Sequence, residues 1–165
     1  MFGGRLPALK TVALWGLVGI IGVFLAIQAI PYGRTHSNPA QQQEPAWDSP
    51  ETRAMVVDAC FDCHSNRTHW RWYTNIAPVS WLAQHDVDGG REKLNFSEWD
   101  RPQRETHEIT EKVQEGEMPP SYYGWLHPRA KLSSAEREAL VQGLQATLGQ
   151  GATGNEEGES EHEQE

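Results

Sequence analysis

Cys60-Phe61-Asp62-Cys63-His64 places two thiols three residues apart, with an imidazole directly after the second. Residues three and four apart on a helical turn share a face, so all three side chains can address one flat ligand. The spacing is that of a c-type haem attachment site. The two thiols reach the two haem vinyl groups as thioethers, and the imidazole becomes the proximal iron ligand. Cys60 and Cys63 are therefore the expected covalent anchors of one haem c, and His64 its expected proximal ligand. The chain has no further cysteine for a structural disulfide or a four-thiolate metal site.

Upstream, residues 11–30 read TVALWGLVGIIGVFLAIQAI, twenty residues without a charge. At ~1.5 Å per residue they cover about 30 Å, the thickness of a bilayer core. A secretory signal has a shorter apolar run and a small-x-small cleavage site. Ile30-Pro31-Tyr32-Gly33 offers no such pattern, so an uncleaved transmembrane helix over 11–31 is expected. Arg5 and Lys10 precede the run and Arg34 follows it, which puts residues 1–10 in the cytoplasm and the haem motif outside. The expected address is a bacterial inner membrane, spanned once, with the haem domain facing the periplasm.

Residues 32–48 are polar, rich in Pro and Gln, and non-periodic, so they are expected to be a flexible tether. Ser49-Pro50-Glu51 opens a helix with an N-cap, a first-turn proline and an acid at the positive end of the dipole. Ala54, Val57, Phe61 and His64 keep helical spacing, so the haem motif is expected to close that helix. A second helix is expected from Pro78 to a break at Gly89-Gly90. A third runs from Gln103 to Glu115 and stops at Gly116. Between the first two, the aromatic cluster His69-Trp70-Arg71-Trp72-Tyr73 reads as core and haem-pocket packing. Ser133-Ser134-Ala135-Glu136 is a capping box for a final helix with Leu140, Val141, Leu144 and Leu148 on one stripe, ending at Gly149. Residues 150–165 have nothing apolar to bury beyond Ala152 and are expected to form a disordered acidic tail. The fold class is all-α: a cytochrome c-like helical domain over residues 49–149 around a covalent haem, with an N-terminal transmembrane helix.

The sixth iron ligand decides between a carrier and a reactive haem. Met1 lies at the cytoplasmic start and Met55 on the same helix as Cys60, so Met118 remains as the distal ligand. Pro119-Pro120 behind it hold the backbone away from α and deny it N–H donors, giving a stiff loop that can present a thioether. His69 stands too close to His64 to reach the other haem face; His85, His107 and His127 are the remaining competitors.

The order of CxxCH helix, intermediate helices, Met-Pro loop and final helix resembles the class I cytochrome c plan. The chain more closely resembles the bacterial haem-binding domain family with a CxxCH motif, many of whose members carry an N-terminal membrane anchor. The likeness rests on Cys60–Asn66, on Trp70-Arg71-Trp72-Tyr73 and on Ile76–Leu82. It continues through Asp86-Val87, Gly90-Arg91, Leu94–Ser97 with Trp99, and Met118-Pro119-Pro120 with Tyr123 and His127. It covers about residues 50–148 and departs at Arg71, where the family usually has Pro. It implies a haem protein without naming a reaction.

A net charge of −9 speaks against nucleic-acid binding, for which a basic patch is the footprint. Six of the acids fall between Glu156 and Glu165, leaving the domain only mildly acidic. His/Met ligation leaves no open coordination site and raises the reduction potential. That favours a membrane-tethered one-electron carrier, with the bilayer and a redox protein or respiratory complex as partners. The alternative is a haem-based sensor or peroxidase-like enzyme in which Met118 dissociates and His107 or His127 acts as the distal acid–base group. A non-haem reading, with Cys60, Cys63, His64 and His69 on zinc or the thiols cycling as a disulfide, suits this cramped spacing poorly.

Overall fold

A computed structural model describes residues 6–104, 106 and 108–159, and the side chains of 9–104, 106 and 108–149. Among them the protein is all-helical, with a single isolated bridge between Gln43 and Glu98. The helices are α1 (Leu6–Ile27), α2 (Pro50–Ala59), α3 (Phe61–His64), α4 (Val79–Lys93), α5 (Ile109–Glu115), α6 (Tyr123–Leu126) and α7 (Ser134–Glu159), with 3-10 turns at Trp72–Asn75 and Pro128–Ala130. Contacts group the chain into two units. One takes in α1, the chain to His36, and Trp70–His85; the other takes in Ser37–His69 and the chain from Asp86 onward.

In the first unit, α1 is long and apolar enough over Leu9–Ile27 to cross a bilayer, and its side chains there are exposed. The helix stops at Ile27, short of the expected end. Gln28 is the reason: its amide nitrogen donates to Phe24 O (3.1 Å) and Ala77 O (2.9 Å), while its amide oxygen accepts from Ala77 N (3.0 Å) and Arg34 Nη2 (3.2 Å). One side chain thus closes the helix and receives the Trp70–His85 segment. Gly33 has a left-handed φ of +79°, and a Cβ on it would lie 2.1 Å from the Ser80 carbonyl, so glycine is required there twice over. Trp70 stacks on His36 with ring centroids 4.5 Å apart. The aromatic cluster is not core, as its composition suggests. Trp72 is 75 % exposed and no member joins the buried hydrophobic cluster.

The second unit is built on Val56, Phe61, Leu94, Phe96, Val113, Leu140 and Leu144, all buried. Here α2 and α5 both pack on α7. Where α2 meets α7, a Cβ on Gly143 would fall 2.1 Å from Thr52 Oγ1, so the close crossing depends on that glycine. The helix starts follow the sequence signals. Ser49 Oγ accepts from Thr52 N (3.1 Å), and Ser133 and Glu136 form the reciprocal box at 2.8 and 3.3 Å. Gly116 ends α5 at φ +80°, its N–H on Val113 O.

Other boundaries differ. The expected helix start at Gln103 moves to Ile109, because the Gln103 side chain is spent on loop backbone, accepting from Asn95 N (2.8 Å) and donating to Glu98 O (2.7 Å). The backbone of α7 runs on to Glu159 instead of stopping at Gly149, which lacks the left-handed φ of Gly116. Residues 160–165 of the expected tail, and His107, lie outside the described residues. The stretch 37–48, expected as tether, holds defined contacts: Gln42 and Gln43 N–H donate to Ser97 O, Trp99 N–H donates to Gln43 O, and Glu44 pairs with Arg53 at 2.7 and 2.8 Å.

Candidate haem site

The CxxCH segment is a turn of its own. The α2 helix ends where Cys60 N–H reaches Val56 O (2.8 Å), and Cys60 breaks the helix at φ −123°, ψ −32°. The Cys60 carbonyl then accepts from Cys63 N (3.2 Å) and His64 N (2.9 Å), opening α3. The break is invisible to the apolar spacing, which stays in phase across it. It leaves Cys60, Cys63 and His64 on one short turn. That turn is pinned by buried Phe61, and its carbonyls are met by side chains: Ser65 Oγ donates to Phe61 O and Thr68 Oγ1 to Asp62 O, both at 2.7 Å.

Both thiols are partly buried and unbonded to each other. Burial pushes each up to about 12, and the carboxylates of Asp86 and Asp62 add to the rise at Cys63. They are therefore neutral S–H groups at physiological pH. Among the described residues, no three His, Cys, Asp or Glu side chains converge as a metal-binding set.

The imidazole of His64 is oriented from behind. Its Nδ1 faces Gly90 O at 3.1 Å and Leu94 O at 3.0 Å. Two carbonyl acceptors assign the proton to Nδ1 and the lone pair to Nε2, the tautomer a metal-binding imidazole requires. The main chain of His64 is held as well, its carbonyl accepting from Phe96 N (2.8 Å). This hold explains Gly89-Gly90, which the sequence suggests as a helix break. α4 runs straight through both glycines. A Cβ on Gly90 would sit 2.6 Å from the Cys63 carbonyl oxygen, whereas one on Gly89 meets nothing within 4 Å. Gly90 is there so that α4 can lie against the back of the motif. Arg91, next on the helix, donates to Ser65 O (2.8 Å), Ser37 O (3.0 Å), Asn38 Oδ1 (3.0 Å) and Thr68 Oγ1 (2.9 Å), tying the chain on both sides of the motif together.

Met118 follows the Gly116 cap. Its N–H donates to Lys112 O (3.0 Å), and its half-buried side chain packs against the same core cluster as Cys60. Met55 packs there too, from α2. Between the motif and the Met118 loop runs a link the sequence did not suggest. Tyr123 donates from its hydroxyl to Asp62 Oδ2 at 2.7 Å, and the other carboxylate oxygen accepts from His69 N (2.8 Å). His127 stacks on Tyr123 with centroids 3.8 Å apart, donates from Nδ1 to Tyr123 O (2.8 Å), and brings Nε2 to 3.9 Å from Asp62. Of the competing histidines, His127 is thus engaged in this cluster, while His69 and His85 are exposed.

The model of a family described as a haem-binding domain matches residues 22–146. The chain belongs to the haem-binding domain family. No curated protein and no solved structure matches it. The matched span takes in the CxxCH turn, the His64 clamp and the Met118 loop. The donor set fits the group, with two neutral thiols and an imidazole presenting a metal-ready nitrogen on one turn.

Proposed function

We propose that this haem-binding domain is a membrane-anchored monohaem c-type cytochrome that carries single electrons on the periplasmic side of a bacterial inner membrane. The observation that carries the reading is the His64 clamp. An imidazole whose Nδ1 is committed to two backbone carbonyls, immediately after two neutral thiols, is oriented to hold iron through Nε2. Cys60 and Cys63 would each add S–H across a vinyl C=C, the sulfur and the proton ending on adjacent carbons, so no oxidant is consumed. The bound haem supplies the one-electron iron couple. On this reading His64 and Met118 would hold the iron, and Phe61 and the core beneath it would keep water from the group. Membrane attachment rests on α1, and the outward haem domain on Arg5 and Lys10 preceding the uncharged run 11–30.

A pyridine haemochrome spectrum tests the attachment. The wild type should give the band of a thioether-linked haem, and Cys60→Ala with Cys63→Ala should leave no haem on the chain after denaturing electrophoresis. The weak far-red band of a Met–iron(III) bond tests the carrier. Met118→Ala should abolish it and admit carbon monoxide or cyanide. If the wild type lacks the band and already binds carbon monoxide fast, the haem is a sensor or enzyme instead.

A further inference from the structure

Trp72 is a large aromatic that the buried core does not use. Trp72 is 75 % exposed, on the 3-10 turn Trp72–Asn75 of the unit that contains α1. Within that unit its height along α1 is fixed. Leu9–Ile27 is nineteen residues, about 28 Å of helix, which fills a hydrocarbon core of about 30 Å. Gln28, the next residue, is bound reciprocally to Ala77 at 2.9 and 3.0 Å, and Ser80 Oγ donates to Tyr32 O at 3.4 Å. Ala77 therefore sits at the edge of the hydrocarbon. Five residues of chain, four of them in a 3-10 turn, keep Trp72 within about 15 Å of it, inside the reach of the headgroup layer once the length of an indole is included.

The same unit exposes Ile30, Tyr32, Val79 and Leu82, and Arg71 beside Trp72 is exposed. Val79 and Leu82, three apart, share one face of α4, while Ser80 between them is fully buried. Indole and phenol rings with an apolar body and a polar tip collect at the membrane–water boundary, and a guanidinium suits lipid phosphate. We propose that the Trp70–Leu82 segment is a second membrane contact, which lays Trp72 into the headgroup boundary of the bilayer that α1 spans. Lipid is the occupant because the surface continues the lipid-facing surface of α1 in one unit. The contact would fix how the extramembrane end of α1 is held at the surface, which a single spanning helix cannot do. The inference rests on the membrane reading of α1.

The test uses the full haem-loaded chain, in the ferrous form, labelled with 5-fluorotryptophan in nanodiscs of phosphatidylcholine and phosphatidylglycerol. Trp15, Trp72 and Trp125 are assigned by single Trp→Phe variants. Trp125 is also 75 % exposed, so its resonance has to be told apart from that of Trp72. The Trp72 resonance should be broadened several-fold more by a nitroxide carried near the lipid headgroup than by a water-soluble gadolinium chelate. If Trp15 is broadened by a deep-chain nitroxide while Trp72 responds only to the chelate, the anchor stands and the second contact is refuted. If Trp72 escapes both agents, a second copy or another protein covers it, and lipid is refuted as the occupant. If Trp15 is open to the chelate, the membrane reading of α1 falls and takes this inference with it.

Discussion

Adding one methyl group at each of two adjacent glycines separates packing behind the haem motif from ordinary helix propensity. Gly89 and Gly90 both lie inside α4 with no left-handed φ. Glycine in a helix interior costs about 0.5–1 kcal/mol relative to alanine. At Gly89 the new Cβ meets nothing within 4 Å, so Gly89→Ala should gain that amount, a rise of a few degrees at about 4–8 °C per kcal/mol for a domain of about 100 residues. At Gly90 the Cβ would stand 2.6 Å from Cys63 O, 3.0 Å from its carbonyl carbon and 3.2 Å from its Cβ. The two nearest are main-chain atoms of the turn that carries both thiols and His64, and they cannot rotate away. Overpacking of this kind costs about 1–3 kcal/mol. Set against the propensity gain, Gly90→Ala should be destabilised by about 1–2 kcal/mol and melt roughly 5–10 °C lower. The melt is followed by Soret absorbance and far-UV dichroism on the full chain in detergent. The Gly90 carbonyl also accepts from His64 Nδ1, so Gly90→Ala should raise the high-spin fraction while Gly89→Ala leaves it alone. Equal stabilisation by both substitutions would refute the close approach of α4 to the haem motif.

Tyr123→Phe keeps the stack on His127 and removes the donor to Asp62; a bond to a charged acceptor contributes about 1.5–3 kcal/mol. The Met118 loop should loosen, and carbon monoxide should bind the ferrous protein faster than in the wild type. Tyr122→Phe, which removes an exposed bond to Asp86, should leave that rate unchanged. The Glu44 carboxyl is held at about 2, against an ordinary 4.5, chiefly by its hydrogen bonds from Arg53. A lowered folded value means the unfolded chain binds the proton first. The Glu44 contribution is therefore complete above about 4.5 and lost as pH falls towards 2, and Glu44→Gln should flatten the acid limb of an unfolding-versus-pH series in that window. Deleting residues 150–165 should leave the haem spectrum and the melting temperature unchanged. A fall of several degrees would show that the acidic segment docks.

What the sequence made legible was whatever carries its own chemistry within a few residues. Ser49-Pro50, Ser133 with Glu136, and Gly116 mark helix ends because cap and partner lie within a turn of each other, and all three sit where their spacing puts them. The apolar stretch of α1 and the haem motif are local in the same sense. The misreadings share a different cause. Gly90 and Gly116 are the same letter, yet one bends the chain to φ +80° and the other admits a neighbouring backbone; sequence cannot say which freedom is used. The aromatic run misled because composition registers apolar area and not the side of the chain on which it falls, so Trp72 and buried Phe96 read alike.

The least legible part is the support behind the CxxCH turn, because most of its acceptors are main-chain carbonyls. His64 is held by the main chain of Gly90 and Leu94, Gln42 and Gln43 by that of Ser97, and Arg91 by that of Ser65 and Ser37. Every residue has a carbonyl, so no side-chain identity announces which one will be used. The exception is instructive. Asp62 lies between the two thiols, where a spacer residue needs no particular chemistry, yet it is a carboxylate with Tyr123 on one oxygen and the His69 amide on the other. A charged side chain set inside a spacer and partly buried needs partners. Asking where they come from would have led from the motif to a donor on the segment after Met118. The spacer residue is thus a place where the link between the haem motif and the Met118 loop left a mark in the sequence, beside Tyr123 and His127 at its other end.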